Sequence, residues 1–161
     1  MDNEYKKFLD EGIFKIQDGL YLESLEFLDK AVELNKNFDI SYFYRAVAYH
    51  ALEKYDDAIL DYTKALKLNP NLTDAYYNRA KIILEKKNPT PKELNNAILD
   101  LDNALKLDEN FIDALFAAAA AQKKVKNYKK ALVYLERLLK IQPESVHARA
   151  LKKLILQKYI I

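Results

Sequence analysis

The chain has 161 residues, of which half are apolar and 31% are charged, with a formal net charge of +2. This length suits one domain or a short repeat array that buries its own core. With only two glycines, the sequence disfavours tight hairpins and glycine-rich phosphate loops, which need positive φ or close backbone approach. The absence of cysteine removes disulfides, thiol catalysis and thiolate metal sites. The composition therefore predicts a nearly pure helical protein.

The start of the chain and its apolar runs indicate where the protein acts. Residues 1–4 are polar and acidic, unlike the basic start and apolar stretch of a targeting peptide. The longest apolar run is Ala114 to Ala121, far below the roughly 18 residues that a membrane-spanning helix needs. We expect a cytoplasmic protein with no membrane partner.

One segment occurs four times along the chain. It begins at Ser24, Ala58, Ala97 and Ala131, at offsets of 34, 39 and 34 residues. Upstream of each copy, an aromatic residue or leucine precedes a small residue by four positions. These pairs are Phe8/Gly12, Tyr42/Ala46, Tyr76/Ala80 and Leu115/Ala119. Self-similarity at such a period is the signature of a helical repeat array.

The pattern resembles the tetratricopeptide repeat, a 34-residue helix–turn–helix unit. The signature positions are filled best in residues 39–72, by Tyr42, Ala46, Tyr49, Tyr55, Ala58, Tyr62, Ala65 and Pro70. Arg45 and Arg79 depart from the family pattern, which has leucine there. The resemblance implies one domain over residues 1–161, with repeats at 5–38, 39–72, 73–111 and 112–145 and a capping helix at 146–161. It also implies the fold: an all-α, right-handed superhelix, or α-solenoid.

Residue spacing supports this fold independently of the family. In 58–68, Ile59, Tyr62, Ala65 and Leu66 follow the i, i+3, i+4, i+7 spacing of a buried helical stripe. A pair of helices cannot bury both of its faces alone. Stacking of successive pairs is therefore expected to complete the core.

The third repeat is five residues longer than its siblings, and the extra residues lie around 87–93. Within them, Thr90 is a suitable N-cap, Pro91 suits the first helical turn and Glu93 completes a capping box. The second helix of this repeat is therefore predicted to begin near Pro91, about one turn earlier than in the other repeats.

No constellation of residues suits catalysis, a metal or a cofactor. His50 and His147 lie on different predicted helices, whereas a metal site normally needs three or four ligands at suitable spacing. Asp100 and Asp102 begin like a calcium loop, but the glycine and glutamate that should follow are missing. A helix face explains these two aspartates. We expect a protein that is not an enzyme.

The charged residues are unevenly distributed along the chain. Residues 1–80 carry 10 basic and 15 acidic side chains, whereas residues 81–161 carry 16 and 9. One hypothesis is head-to-tail self-assembly of acidic and basic ends, helped by the apolar tail Tyr159-Ile160-Ile161. A second is nucleic-acid binding by the lysines around Tyr128. No platform of neighbouring exposed aromatic residues is evident for stacking bases, which disfavours nucleic acid.

The resemblance places binding on a concave groove lined by the first helix of each repeat. Carried onto this sequence, the groove residues are Phe43, Tyr44, Val47, Tyr77, Asn78, Lys81, Phe116, Lys123 and Lys124. The aromatic members are expected to supply burial, and the amide of Asn78 to bond ligand backbone. The three lysines would favour acidic ligand residues. The alternative is that Phe43, Tyr77 and Phe116 simply pack between helices.

A motif of the family's co-chaperones tests one class of partner. These co-chaperones bind an acidic C-terminal tail through Lys and Asn in one repeat, Asn in the next, and Lys plus Arg in a third. Counted from the first repeat, these positions hold Leu9, Ile13, Tyr44, Asp74 and Asn78. Counted from the second, they hold Phe43, Val47, Asn78, Asp113 and Ala117. Only Asn78 fits, so a heat-shock chaperone tail is disfavoured.

Overall fold

The computed structural model describes residues 3–159, which form nine α-helices and no β-strand. In chain order the helices are α1 (Glu4–Gln17), α2 (Tyr21–Leu34), α3 (Asp39–Ala51), α4 (Tyr55–Leu68), α5 (Thr73–Glu85), α6 (Pro91–Leu107), α7 (Ile112–Lys124), α8 (Tyr128–Ile141) and α9 (Val146–Tyr159). The predicted all-α fold of helix–turn–helix pairs is confirmed. None of the described helices is long and apolar enough to cross a membrane.

The helices form two compact units, Met1–Ala75 and Tyr76–Ile161, with the boundary inside α5. In the first unit, α1 packs on α2, α2 on α3 and α3 on α4. One buried cluster there combines Leu9, Leu25, Leu28, Ala31 and Ala48. A second cluster combines Val32, Tyr42 and Ala65.

In the second unit, α6 packs on α7, α7 on α8 and α8 on α9. Its fully buried large side chains are Ile82, Leu101, Leu115, Leu135, Leu138 and Ile155. Helix α9 begins at Val146, the first residue of the predicted capping helix, and buries Ala148 and Ile155. The last two residues of that predicted helix, 160 and 161, lie outside the described part of the chain.

The small residues of the repeat pattern lie where two helices approach closely. Ala46, Ala80 and Ala119 are completely buried. At the equivalent place in the first repeat, a Cβ added to Gly12 would lie 2.6 Å from Leu28 Cγ. Helix contact at these positions leaves no space for a large side chain.

Similar turns recur between the helices. The turn between the two helices of a repeat uses a residue in the left-handed region at Gly19 (φ 76°), Glu53 (φ 58°) and Lys126 (φ 61°). After the second helix, a side-chain oxygen of Asn35, Asn69 or Asp108 accepts the backbone N–H two residues on. Such local bonds favour a turn over continued helix. The repeat therefore fixes both of its turns locally.

The extended third repeat begins its second helix as predicted. Helix α6 starts at Pro91, after a capping box in which Thr90 Oγ1 accepts the Glu93 N–H and the Glu93 carboxylate accepts the Thr90 N–H. Lys86 Nζ also lies 2.6 Å from Glu93 Oε1. The hydrogen bond from Lys86, with those from Thr90, lowers the pKa of Glu93 to about 2.

The two arginines that depart from the family pattern form ion pairs with buried aspartates. Arg45 donates Nε and Nη2 to the carboxylate of Asp61, at 2.6 and 2.9 Å, and Nη1 to Asp29 at 2.8 Å. Burial is the largest single effect and alone would lower the pKa of Arg45, but the hydrogen bonds to Asp61 and Asp29 and the charge of Asp61 together outweigh burial and raise it. Arg79 forms the same bidentate pair with Asp100, donating Nε to Oδ2 at 2.8 Å and Nη2 to Oδ1 at 2.7 Å. These pairs tie α3 to α4 and α5 to α6.

Candidate functional site

The first unit contains a cleft of about 390 Å³ beside the start of α3. Its walls come from α3 and from the turn that leads into α5. The lining residues are Ile40, Phe43, Tyr44, Asn71, Leu72, Thr73 and Asp74. We call this surface the first cleft. It contains two of the predicted groove residues, Phe43 and Tyr44.

The walls of the first cleft are held in place by packing and by one hydrogen-bonded side chain. The ring of Phe43 makes edge contacts with the rings of Tyr44 and Tyr62, at centroid distances of 5.3 and 5.8 Å. Asn69 accepts the N–H of Asn71 and donates its amide to Asp39 Oδ2 at 2.8 Å. The turn after α4 is thereby fastened to the first residue of α3.

The second unit contains a cleft of about 320 Å³ in the corresponding position of the fourth repeat. Its lining residues are Tyr77, Ile112, Asp113, Phe116, Ala117, Leu138, Gln142, Ser145 and His147. We call this surface the second cleft. It joins Tyr77 and Phe116, two further members of the predicted groove.

Both rings of the second cleft have aromatic neighbours. Tyr77 lies 5.0 Å from Phe111, and Phe116 lies 6.5 Å from the imidazole of His147, measured between ring centroids. Burial, followed by the charges of Asp113 and Glu85, raises the pKa of Tyr77.

The other predicted groove residues line neither cleft. Val47 and Asn78 are half-buried on α3 and α5. Lys81 is exposed and lies 3.8 Å from Glu85, one turn along α5. Lys123 and Lys124 are the last two residues of α7. The structure thus groups the aromatic predictions into clefts and leaves the amide and the lysines outside them.

The lysine-rich surface around Tyr128 makes contacts within the second unit. The ring of Tyr128 stacks on Tyr159, with centroids 4.3 Å apart and planes 9° apart. Lys130 lies 3.6 Å from Asp102, which also accepts a hydrogen bond from the Tyr134 hydroxyl. Burial and this bond raise the pKa of Tyr134. One ring and one cation of this surface are therefore already paired.

Several cleft residues were not among the predicted groove residues. Asn71 and Thr73 of the first cleft lie in or just after an inter-repeat turn, as do Gln142, Ser145 and His147 of the second. The signal that could have found them is their place in the repeat, since both clefts combine the first helix of one repeat with the turn that follows that repeat's second helix.

The recurring helix pairs identify the class of this protein. The helix pairs have nearly constant length, small residues lie where helices approach closely, and the turns recur. These features define a helical-repeat protein. Two family models match, described as "Tetratricopeptide repeat" over residues 40–72 and "Fis1 C-terminal tetratricopeptide repeat" over residues 112–160. The chain belongs to the tetratricopeptide-repeat family.

Known proteins agree with this assignment. A TPR repeat-containing protein, MJ1428 of Methanocaldococcus jannaschii, is 34% identical over 90 residues, which is 52% of this chain and 16% of that protein. The structure of MamA residues 41-end from Desulfovibrio magneticus RS-1 superposes with a TM-score of 0.84 at 19% identity, covering 96% of this chain and 85% of that one.

A further solved structure contains a ligand. The first TPR domain of Spaghetti (RPAP3), bound to the HSP90 peptide SRMEEVD, has a TM-score of 0.67 at 24% identity, covering 74% of this chain and 90% of that one. Both structural likenesses show the fold. The chain spans between 5% and 21% of the length of the curated relatives that it matches.

Proposed function

We propose that this chain is a non-catalytic interaction scaffold that binds a peptide segment of a partner protein. Tetratricopeptide-repeat membership supports this class of function, and the RPAP3 domain with its bound peptide is one relative in fold. The observation that carries the proposal is the grouping of four predicted aromatic residues into two clefts, Phe43 with Tyr44 and Tyr77 with Phe116.

The first cleft suits peptide side chains on physical grounds, because Ile40, Phe43, Tyr44 and Leu72 line it. Concave sites that are mostly apolar, with a few polar groups at their edges, are typical of ligand binding. Buried aromatic anchors supply most of the energy of protein recognition. In this proposal Asn78 bonds ligand backbone, while Lys123 and Lys124 favour acidic ligand residues beyond the second cleft.

The test is affinity capture from a lysate of the source cells with four forms of the chain. These are the wild type, Phe43→Ala/Tyr44→Ala, Tyr77→Ala/Phe116→Ala, and the control Leu99→Ala/Val133→Ala, which alters exposed apolar residues outside both clefts. We expect captured proteins to be retained by the control and lost from at least one cleft variant, while circular dichroism shows unchanged helicity. Equal capture by all four forms would exclude the clefts as the binding site.

A heat-shock chaperone tail is not the ligand in this proposal. The first cleft has Asp74 at its edge, and no lysine or arginine is among the residues that line either cleft. We expect the peptide SRMEEVD to bind at least tenfold more weakly than the captured ligand, as measured by fluorescence polarisation. Equal affinity would contradict this expectation.

Head-to-tail self-assembly is the second candidate, and charge favours it. Residues 1–75 hold 9 basic and 15 acidic side chains, whereas residues 76–161 hold 17 and 9. Attraction between opposite ends weakens as salt screens it. We expect light scattering to show association at low salt that high salt reverses. A monomer at low salt and high protein concentration would exclude this assembly.

A further inference from the structure

We propose that the first cleft binds a lysine or arginine side chain of the partner peptide. This inference rests on the proposed function and names the side-chain chemistry of one of its two clefts. Its basis is the combination of aromatic rings, an exposed carboxylate and the charge of the surrounding unit.

Three aromatic rings of the first unit lie close to cations of the chain itself. Lys30 lies 5.3 Å from the ring centre of Phe8, and Lys64 lies 5.7 Å from that of Tyr42. Tyr49 has Lys54 at 5.9 Å. A cation within about 6 Å of an aromatic centroid is attracted by the negative face of the ring.

The two rings of the first cleft, Phe43 and Tyr44, lack such a cation within the described residues. Among residues 3–159, no lysine or arginine lies over Phe43 or Tyr44, although both rings line an open volume of about 390 Å³. The cleft therefore offers an aromatic surface that is open to a cation from another molecule.

The carboxylate of Asp74 lines the same cleft as those two rings. Asp74 is exposed at the first turn of α5 and lines the cleft. Within the described chain it forms no ion pair. An aspartate at this position also favours the helix dipole, but that role needs neither the rings nor the cleft.

The charge of the surroundings favours the same ligand. Residues 1–75 carry six more acidic than basic side chains. Asp39, which holds the turn through Asn69, is next to Ile40 of the cleft wall. A negative field around a concave site raises the local concentration of cations and speeds their association.

The second cleft also has an exposed first-turn carboxylate, Asp113, beside aromatic rings that no lysine or arginine covers within the described residues, but its surroundings differ. There the imidazole of His147 already packs against Phe116, and the surrounding residues 76–161 carry eight more basic than acidic side chains. The proposal is therefore restricted to the first cleft, and the second serves as its internal comparison.

The test is an NMR titration of the full chain with three capped tripeptides at about 0.15 M salt. They share flanking alanines and have arginine, norleucine or glutamate in the centre. We expect the arginine peptide to shift the backbone amides of Phe43, Tyr44, Thr73 and Asp74, and to bind about threefold more tightly than the norleucine peptide. The glutamate peptide should bind most weakly.

Two matched variants isolate the carboxylate. Asp74→Asn should lower the affinity for the arginine peptide about threefold and leave the norleucine peptide unaffected. Asp56→Asn removes an exposed first-turn aspartate of α4 outside the cleft, and should change neither affinity.

The outcomes separate this inference from the proposed function. Equal binding of the arginine and norleucine peptides in the first cleft would overturn the inference and leave the cleft as an apolar peptide site. Equal effects of the two aspartate variants, or shifts confined to other acidic surfaces, would also overturn it. Loss of captured partners in the Phe43→Ala/Tyr44→Ala variant would still support the proposed function in each case.

Discussion

The two glycines of the chain serve different purposes. Gly19 has a φ of 76°, and a Cβ added to it would meet no atom within 4 Å. Gly12 lies within α1, where an added Cβ would meet Leu28. The first position needs the conformational freedom of glycine, and the second needs its small size.

Gly19→Ala tests backbone conformation alone. An L-residue in the left-handed region costs about 1–2 kcal/mol, partly offset because alanine restricts the unfolded chain. We expect the free energy of unfolding in urea to fall by about 1 kcal/mol. Lys126→Gly is the reciprocal control, since Lys126 has a φ of 61° in the equivalent turn, and should raise stability by a similar amount. An unchanged stability in both variants would contradict the argument.

Gly12→Ala sets helix propensity against packing. Alanine gains about 1 kcal/mol in helix propensity over glycine, but its Cβ would lie 2.6 Å from Cγ of the fully buried Leu28. Overpacking of this kind costs about 1–3 kcal/mol, so we expect a net loss of about 1 kcal/mol. In a double-mutant cycle, Leu28→Val should relieve part of that loss. A stabilised Gly12→Ala variant would show that Leu28 moves away without cost.

At the scale of the element, the start of α6 depends on a carboxylate. The pKa of Glu93 is lowered from its usual 4.5 to about 2 in the folded chain, so its stabilising contribution is present above 4.5 and is lost as pH falls toward 2. Glu93→Gln keeps an acceptor for the Thr90 N–H but removes the charge that faces Lys86. We expect the difference in Tm between wild type and this variant to shrink as pH falls from about 6 to about 3. A difference independent of pH would mean that the charge contributes nothing.

The buried pair between Arg79 and Asp100 joins the two helices of the third repeat. Its side chains are only 21% and 9% exposed, and removing one partner of such a pair costs about 3–5 kcal/mol. We expect Asp100→Ala to lower the free energy of unfolding by about 3 kcal/mol. The double variant Arg79→Leu/Asp100→Ala should recover most of that loss, because no buried charge remains.

An exposed pair on α5, the helix that contains Arg79, provides the control for Asp100. Lys81 and Glu85 are both more than 40% exposed, and pairs of this kind contribute about 0.3–0.5 kcal/mol. Glu85→Ala should therefore have little effect in the same urea titration. Equal losses from Asp100→Ala and Glu85→Ala would show that burial of the ion pair is unimportant.

These elements show which features the sequence could predict. The start of α6 was predictable because Thr90, Pro91 and Glu93 act on neighbouring backbone within one turn. The partner of Arg79 was not, because its aspartate comes from another helix 21 residues away. Similarly, the repeat pattern predicts the aromatic cleft residues, whereas Ser145 and His147 join the second cleft only through the placement of a turn.

For the whole molecule, the division into units predicts how instability spreads. In repeat proteins each repeat contacts only the repeats next to it. Stability is therefore approximately a sum of local contributions, and helices open in local groups. A substitution should therefore lower amide protection most in its own unit. Gly12→Ala and Asp100→Ala lie in different units and form a reciprocal pair of probes.

Hydrogen exchange measured by NMR or mass spectrometry tests this expectation. Asp100→Ala should speed exchange in α6 and α7 more than in α1 and α2, and Gly12→Ala should do the reverse. Asp100→Ala is expected to cost about 3 kcal/mol, so the most affected amides should exchange about 100-fold faster than in wild type. For Gly12→Ala, with a loss of about 1 kcal/mol, the corresponding increase should be about fivefold. If either variant accelerates exchange equally in all helices, the two units unfold as one cooperative body. A purely local response would mean that a partner bound at the first cleft stabilises α3 and α4 without protecting α7 and α8.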